Sequence, residues 1–492
     1  MSVLAASAHR IAVNSASIVG NNVLRRGLAF AATVSIARYL PVETFGRYVL
    51  VLATIELFRQ VADFGIDHIA VRRLARDPGT GVLQPALRLK LAMSLVAIAC
   101  AEAFALALGY GPQLMGYLAL ASLALLFSAT ASTLATSFQA TLSMRRLLPV
   151  NATGNVLMLA LVWAAIFLHV SVAGFLMAAV LAEAYALALT FLLLRRSGHS
   201  AQREPPASVP ARRLLAEATP LGLASVLVMV YFRVDTIVLS KVAGEAEVGR
   251  YGAIFRLTEG SLALAAGLAA TFLPLLSSYL ADPGSRQRGI ELYERGFKVL
   301  LASSVLLAST ITLLAVPIMR LLYGASYADA GPGLAVLTWS TVFMSLNMMQ
   351  TSAFVALGRQ RALFGVTIVN LLINVALILT LIPRFGLMGA CAATVATEGA
   401  NTVIQAALLA RDLPMTRMLV PALRYGGLAF LALGLSLALG RSIPVSAALG
   451  GALAAYALAL LALEARSVGV SRQMWRPPPL VTTRSSRAEE AA

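Results

Sequence analysis

Apolar runs of about twenty residues recur along the whole chain, separated by short polar breaks. Each run is long enough to cross a hydrocarbon core of ~30 Å as a helix. Reading the runs against their Gly, Pro and charged breakers predicts fourteen helices. They fall at 11–37, 47–68, 87–109, 114–142, 149–169, 173–194, 217–240, 250–280, 297–317, 332–357, 362–382, 386–410, 421–440 and 445–464. The fold class expected is an all-α polytopic membrane protein.

Two of these helices break the apolar pattern in a periodic way. Helix 1 contains "NNVLRRGLAF", in which Asn14, Asn21 and Arg25 fall at i, i+7 and i+11, with Asn22 and Arg26 widening the face. On helix 2, Glu56, Arg59, Gln60, Asp63 and Asp67 fall at i, i+3, i+4, i+7 and i+11, again on one face. A polar stripe on a membrane helix must face protein or a water-filled cavity, because lipid offers it no partners.

Composition agrees with the pattern. Of 492 residues, 59% are hydrophobic and 12% charged, against about 25% charged in soluble domains. The formal charge of +17 follows from topology. Most basic residues lie in the loops after even-numbered helices and in the tails, such as Arg72, Arg73, Arg145, Arg146, Arg195 and Arg196. Lys90 is counted with them. Cytoplasmic loops carry this excess, so both termini are expected to be cytoplasmic. A nucleic-acid partner would need a basic patch on a folded domain, and no such domain is predicted. Arginine far outnumbers lysine, which fits a GC-rich bacterial gene. The first residues lack the charged start of a cleaved signal peptide, so helix 1 is expected to be retained. Cys100 and Cys391 each sit in an apolar run, as small core residues rather than a disulfide or metal pair. No cofactor or metal is expected.

The chain also resembles itself. Gly46, Arg47, Tyr48 and Glu56 recur 203 residues later as Gly249, Arg250, Tyr251 and Glu259. Thr33 meets Thr236 and Arg38 meets Lys241 at the same offset, and Gly174 and Glu183 recur as Gly389 and Glu398. The repeat predicts two parallel six-helix lobes, 1–200 and 210–411, related by an axis along the membrane normal. It leaves two additional helices in 421–464 and a cytoplasmic disordered tail over 465–492. Repeats of this kind place a substrate path between the halves.

Removing loop residues leaves five arginines within helices: Arg25, Arg26, Arg59, Arg233 and Arg256. Each costs roughly 2.5–3.5 kcal/mol at a helix centre, so a reason is needed. All five lie on helices 1, 2, 7 and 8, the equivalent pairs of the two halves. One reading makes some of them structural ion pairs, Arg59 with Glu56 or Asp63 and Arg256 with Glu259. The other makes them, with Asn21, Asn22 and Gln60, the lining of a cationic cavity for an anionic substrate. Guanidinium suits phosphate through bidentate hydrogen bonds and a charge that is never lost. Glu56, Asp63, Asp235, Glu259 and Glu398 are the candidates for ion coupling. Arg25 and Arg26 have apolar repeat partners, and Arg233 falls opposite Phe30. The cavity is therefore expected to be asymmetric, with its strongest positive charge on the N-terminal lobe.

The stretch "ARYLPVETFGRYVLVLATIELFRQVADFGIDHIAVRRLAR" (37–76) resembles the N-terminal signature of bacterial O-antigen and polysaccharide flippases. "FVALGRQRALFGVTIVNLLINVALILTLIPRFGLMGACAATVATE" (354–398) resembles their later signature. These flippases belong to the multidrug/oligosaccharidyl-lipid/polysaccharide (MOP) exporter superfamily. The resemblance implies a non-enzymatic flippase of undecaprenyl-diphosphate-linked oligosaccharide in the bacterial inner membrane, working by alternating access for surface polysaccharide synthesis. Its implied partners are that lipid-linked glycan, the bilayer and a polysaccharide polymerase complex. It also places Arg25 or Arg26, Arg59 and Arg256 in positions similar to the cationic cavity of lipid-linked peptidoglycan-precursor flippases. Two alternatives remain: a multidrug or cation antiporter of the same superfamily, whose substrates would favour acidic cavities, and a membrane glycosyl-transferring enzyme, which would need an extended outer loop.

Overall fold

A computed structural model describes residues 25–77, 81–141, 143–196, 209–282 and 284–439. Asn14, Asn21, Asn22, the helix expected at 445–464 and the tail lie outside these residues. Every regular element described is helical. The N-terminal half holds α1 (25–39), α2 (Val42–Asp63), α3 (Ile66–Arg76), α4 (Leu83–Ala107), α5 (Pro112–Ala140), α6 (Leu148–Phe167) and α7 (Val172–Arg196). Then follow α8 (Ala211–Val242), α9 (Glu245–Ala281), α10 (Arg286–Tyr323), α11 (Gly331–Leu337), α12 (Ser340–Ala356), α13 (Gln360–Leu409) and α14 (Thr416–Leu439). Eight described helical segments are long and apolar enough to cross a membrane, which makes this a multi-pass membrane protein. α2 is not among them, because Glu43, Arg47, Glu56, Arg59 and Asp63 interrupt its apolar run.

The chain divides into two compact units, Met1–Ala422 and Leu423–Ala492. The second is helical in its described residues, to Leu439.

The structure departs from the sequence reading at the end of helix 2, for a local reason. Helix 2 was expected to run from 47 to 68, but α2 ends at Asp63. Phe64 (φ 42) and Gly65 (φ 74) take left-handed conformations there, and α3 sets off in a new direction. The bend fits against α8 through two glycines: a Cβ on Gly222 would lie 2.6 Å from the Phe64 ring, and one on Gly65 3.0 Å from Leu221. Helix 10, expected at 332–357, is present as α11 and α12, joined by a tightened turn at Thr338–Trp339 whose backbone stays αR. The pair expected at 362–382 and 386–410 is present as the two legs of α13, which turn after Pro383 at the non-helical Gly386 (φ 54, ψ −127). Its two legs run back along each other, with Asn374 Nδ2 donating to Thr397 Oγ1 at 3.4 Å.

Within the N-terminal half, α4 packs on α2 and α5, and α5 on α7. In the C-terminal half, α9 packs on α10 and α12, and α13 on α8 and α12. The halves meet chiefly where α2 crosses α9 and α8. The α2–α9 crossing is built from the repeated motif itself. A Cβ on Gly46 would overlap the Glu245 carbonyl oxygen, and one on Gly249 would overlap the Val42 carbonyl oxygen. Val42 and Glu245 are themselves 203 residues apart, so the two contacts are mirror copies. Glycine is required because only backbone against backbone lets the helices approach this closely. One turn on, Gly252 takes the methyls of its repeat partner Val49, 2.7 Å from where a Cβ would be. Phe45, Tyr48, Tyr251 and Tyr327 are all buried around this crossing.

Candidate functional site

Below the crossing, a small cavity of about 60 Å³ is lined by Thr33 of α1, Tyr48, Leu52 and Glu56 of α2, Arg233 of α8, and Phe255, Arg256 and Glu259 of α9. Here the sequence repeat acquires a physical meaning. Glu56 and Glu259 are equivalent positions, and Arg233 lies between them, paired with Glu56 and 3.6 Å from Glu259. Its side chain is only 16% exposed, whereas those of Glu56 and Glu259 are 37% and 38% exposed. The guanidinium carbon also lies 5.2 Å from the Phe255 ring centroid, a cation–π distance. Arg256 pairs with Glu259 at 3.2 Å. Four of the residues singled out from the sequence thus form one quartet of two acids and two bases across three helices, balanced in charge.

Arg59 stands apart from it. The sequence offered Glu56 or Asp63 as its partner. The structure assigns Glu56 to Arg233 and Asp63 to Lys90, and among the described residues Arg59 has no carboxylate within 4 Å. Its Nε is buried without a hydrogen-bond partner. Arg25 and Arg26 are exposed at the start of the described part of α1 and line neither this cavity nor the next. Arg26 lies two helical turns from Thr33 on the same face, about 10 Å along the axis. The single five-arginine lining expected from the sequence is therefore not formed. The three arginines without an ion pair among the described residues all belong to the N-terminal half, and the two of the C-terminal half are neutralised.

A larger cavity of about 400 Å³ lies between α2, α3, α4 and α5, lined by Arg59, Gln60, Asp63, Asp67, His68 and Lys90, and on α5 by Ser128, Ser132 and Gln139. Lys90 was missed as a site residue, because sequence position put it with the cytoplasmic loop charges. It lies in the second turn of α4, 1% exposed, with its ammonium between Asp63 and Asp67. The signal that could have found it is one of only three lysines placed inside an apolar run, opposite carboxylates at i and i+4 on the preceding helix.

The remaining candidates are buried in the C-terminal half. Asp235 accepts from the Thr236 N–H at 2.6 Å and from the Tyr251 hydroxyl. Glu398 accepts from Tyr231 and from Asn347 Nδ2, the latter at 2.7 Å. Among the described residues neither has a basic side chain within 4 Å. On the first leg of α13, facing the leg that carries Glu398, Asn370 and Asn374 keep buried amide oxygens with no partner among the described residues.

Comparison with known proteins places this geometry. A family model described as "Polysaccharide biosynthesis protein" matches residues 11–280, and a second, MatE, matches 220–380. A protein of Haloferax volcanii named "Probable low-salt glycan biosynthesis flippase Agl15" is 24% identical over 400 residues, covering 78% of this chain and 80% of its own. Among solved structures, the lipid II flippase MurJ in an inward closed conformation superposes with a TM-score of 0.72 at 13% identity, over 92% of this chain and 99% of its own. A MOP superfamily transporter from Pyrococcus furiosus, described as having a binding pocket of reverse polarity, superposes with a TM-score of 0.56 at 16% identity, over 85% of this chain and 96% of its own. With more than half of its length matched, the chain belongs to the polysaccharide biosynthesis protein family, and its fold is that of the MOP transporter superfamily.

Proposed function

We propose that the protein is a flippase that moves undecaprenyl-diphosphate-linked oligosaccharide across the bacterial inner membrane for surface polysaccharide synthesis. The observation that carries this reading is Arg59. Each carboxylate beside it on the α2 stripe is already held by another base, so its guanidinium stands in a cavity wall within the bundle with no contact ion pair among the described residues. A diphosphate supplies what that charge lacks, through charge-assisted hydrogen bonds. Arg25 and Arg26, also without an ion pair among the described residues, extend the positive charge along α1. A cationic drug would meet the Arg59 guanidinium in that wall, which disfavours a multidrug antiporter.

Transport by alternating access would use the two halves as lobes, with the α2–α9 crossing as the closed end on the non-cytoplasmic side. Asp235 and Glu398, free of basic partners among the described residues, are our candidates for coupling carboxyls. Glu398→Gln is expected to abolish the response of export to ionophores. Export that stays equally ionophore-sensitive would remove Glu398 from that role.

The direct test of the substrate reading is Arg59→Ala in the native host. Lipid-linked glycan should accumulate on the cytoplasmic leaflet and surface polysaccharide fall at least tenfold, with membrane levels of the protein unchanged. Removing one charge-assisted contact worth about 1.5–3 kcal/mol gives an effect of that order. Arg59→Lys should recover only part, since an ammonium lacks the bidentate geometry. Normal surface polysaccharide in Arg59→Ala would refute the assignment.

A further inference from the structure

The 400 Å³ cavity between α2 and α5 is more elaborate than a counter-ion for Arg59 requires. Lys90 Nζ is 2.9 Å from Asp67 Oδ2, which also accepts from Ser132 Oγ at 2.7 Å, while Asp67 Oδ1 accepts from Thr133 Oγ1 at 2.8 Å. Asp67 is thereby saturated and fixed as part of the wall. Asp63 gives only Oδ1 to Lys90. Its Oδ2 has no partner among the described residues, and the side chain is 25% exposed. The carboxamides of Gln60 and Gln139 and the guanidinium of Arg59 also line the cavity without a side-chain hydrogen bond or ion pair there.

Four unused groups result, and all four are planar with paired polar atoms: a carboxylate, two carboxamides and a guanidinium. Such groups match neighbouring hydroxyls on a ring, each of which both donates and accepts. The lining charges balance, with Arg59 and Lys90 against Asp63 and Asp67. A second anion would meet the two carboxylates, and a cation would meet the ammonium and guanidinium. A neutral polyol meets neither penalty, and the volume lies within the usual range for a small-ligand pocket, about 300–1,000 Å³.

We propose that this cavity seats a sugar unit of the transported glycan, hydrogen-bonded by Gln60, Asp63 and Gln139, next to a diphosphate held at Arg59. Lys90 acts as a positioning residue that holds one oxygen of Asp63 and leaves the other facing the cavity. The proposal rests on the flippase reading above and adds the glycan subsite to it. It explains why a buried lysine is held by two acids at a cost that an apolar residue would avoid.

Lys90→Met would leave two carboxylates without a counter-charge and threaten folding. The test therefore uses Gln60→Leu and Gln139→Leu, which remove no side-chain bond among the described residues. Full-length protein in lipid nanodiscs would be titrated calorimetrically with two probes: inorganic pyrophosphate, and the free oligosaccharide released by mild acid from the host's lipid-linked pool. Each leucine variant should weaken oligosaccharide binding about tenfold, the size expected for one unmade hydrogen bond, and leave pyrophosphate binding unchanged. Arg59→Ala should weaken pyrophosphate binding. Absence of oligosaccharide binding to the wild-type protein, an unchanged affinity in both leucine variants, or an equal loss for both probes would each overturn the subsite. The flippase reading is judged separately, by export in the Arg59→Ala strain, so either can fail without the other.

Discussion

Gly249→Val is expected to abolish export of the glycan, and Gly46→Val to do the same, although neither residue touches the cavities. The Cβ of either variant would overlap a carbonyl oxygen of the opposite helix, Val42 for Gly249 and Glu245 for Gly46. Backbone atoms inside a helix cannot turn aside as a side-chain tip can, so the helices must separate. Separation weakens the Arg47–Glu245 bridge, 2.5 Å in the structure, and the fit of Val49 into Gly252. Overpacking of this kind costs about 1–3 kcal/mol, and valine's two further methyls place it at the upper end. Under the alternating-access mechanism proposed above, the cost falls on the state in which the crossing is closed. About 3 kcal/mol shifts that equilibrium more than a hundredfold. A cysteine at Ala53, 3% exposed beneath the crossing, reads the shift in a background without Cys100 and Cys391. A membrane-impermeant maleimide should label it slowly in the parent and rapidly in Gly249→Val. Gly116→Val is the control, since a Cβ there meets nothing within 4 Å. Equal labelling and normal export in Gly249→Val would dismiss the crossing as a gate.

Much of this was legible in the sequence because membrane burial leaves simple marks. Apolar runs gave the helices, and the GRY echo at an offset of 203 marked as equivalent the two helices, α2 and α9, that cross in the structure. What periodicity could not give was partner choice. The stripe Glu56, Arg59, Asp63 on one face suggests pairing along α2, because residues three or four apart are neighbours. The structure pairs across helices instead, with Glu56 to α8 and Asp63 to α4, and so leaves Arg59 free. Helix ends failed where a left-handed residue rather than a polar break stops the helix, as at Phe64 and Gly65. Lys90 was hidden for a different reason. The positive-inside rule counts charges near helix ends as solvated, and a lysine one turn deeper carries the same letter with the opposite meaning.

Partner choice also separates two arginines that look alike in sequence. Arg233→Ala is expected to destabilise the protein by about 3 kcal/mol, and Arg256→Ala by no more than about 1 kcal/mol. Arg233 is mostly buried, and its loss leaves Glu56 and Glu259 facing each other with only Arg256 to offset them. Removing one partner from a buried pair costs about 3–5 kcal/mol, and partial exposure of both glutamates argues for the lower end. The Arg256–Glu259 contact joins residues three apart on one helix, each more than a third exposed, and pairs of that kind are worth about 0–1 kcal/mol. Thermal unfolding of the purified variants checks the ranking. The double variant Glu56→Gln/Arg233→Met should recover the stability lost in Arg233→Ala, since it removes the unpaired carboxylate together with its partner and leaves Arg256 and Glu259 as a balanced pair. If Arg233 is a strut between repeat-equivalent glutamates, export recovers with stability. If stability returns and export does not, Arg233 contacts the substrate, and the positive charge that meets the diphosphate is shared by both halves of the chain rather than held by the N-terminal one.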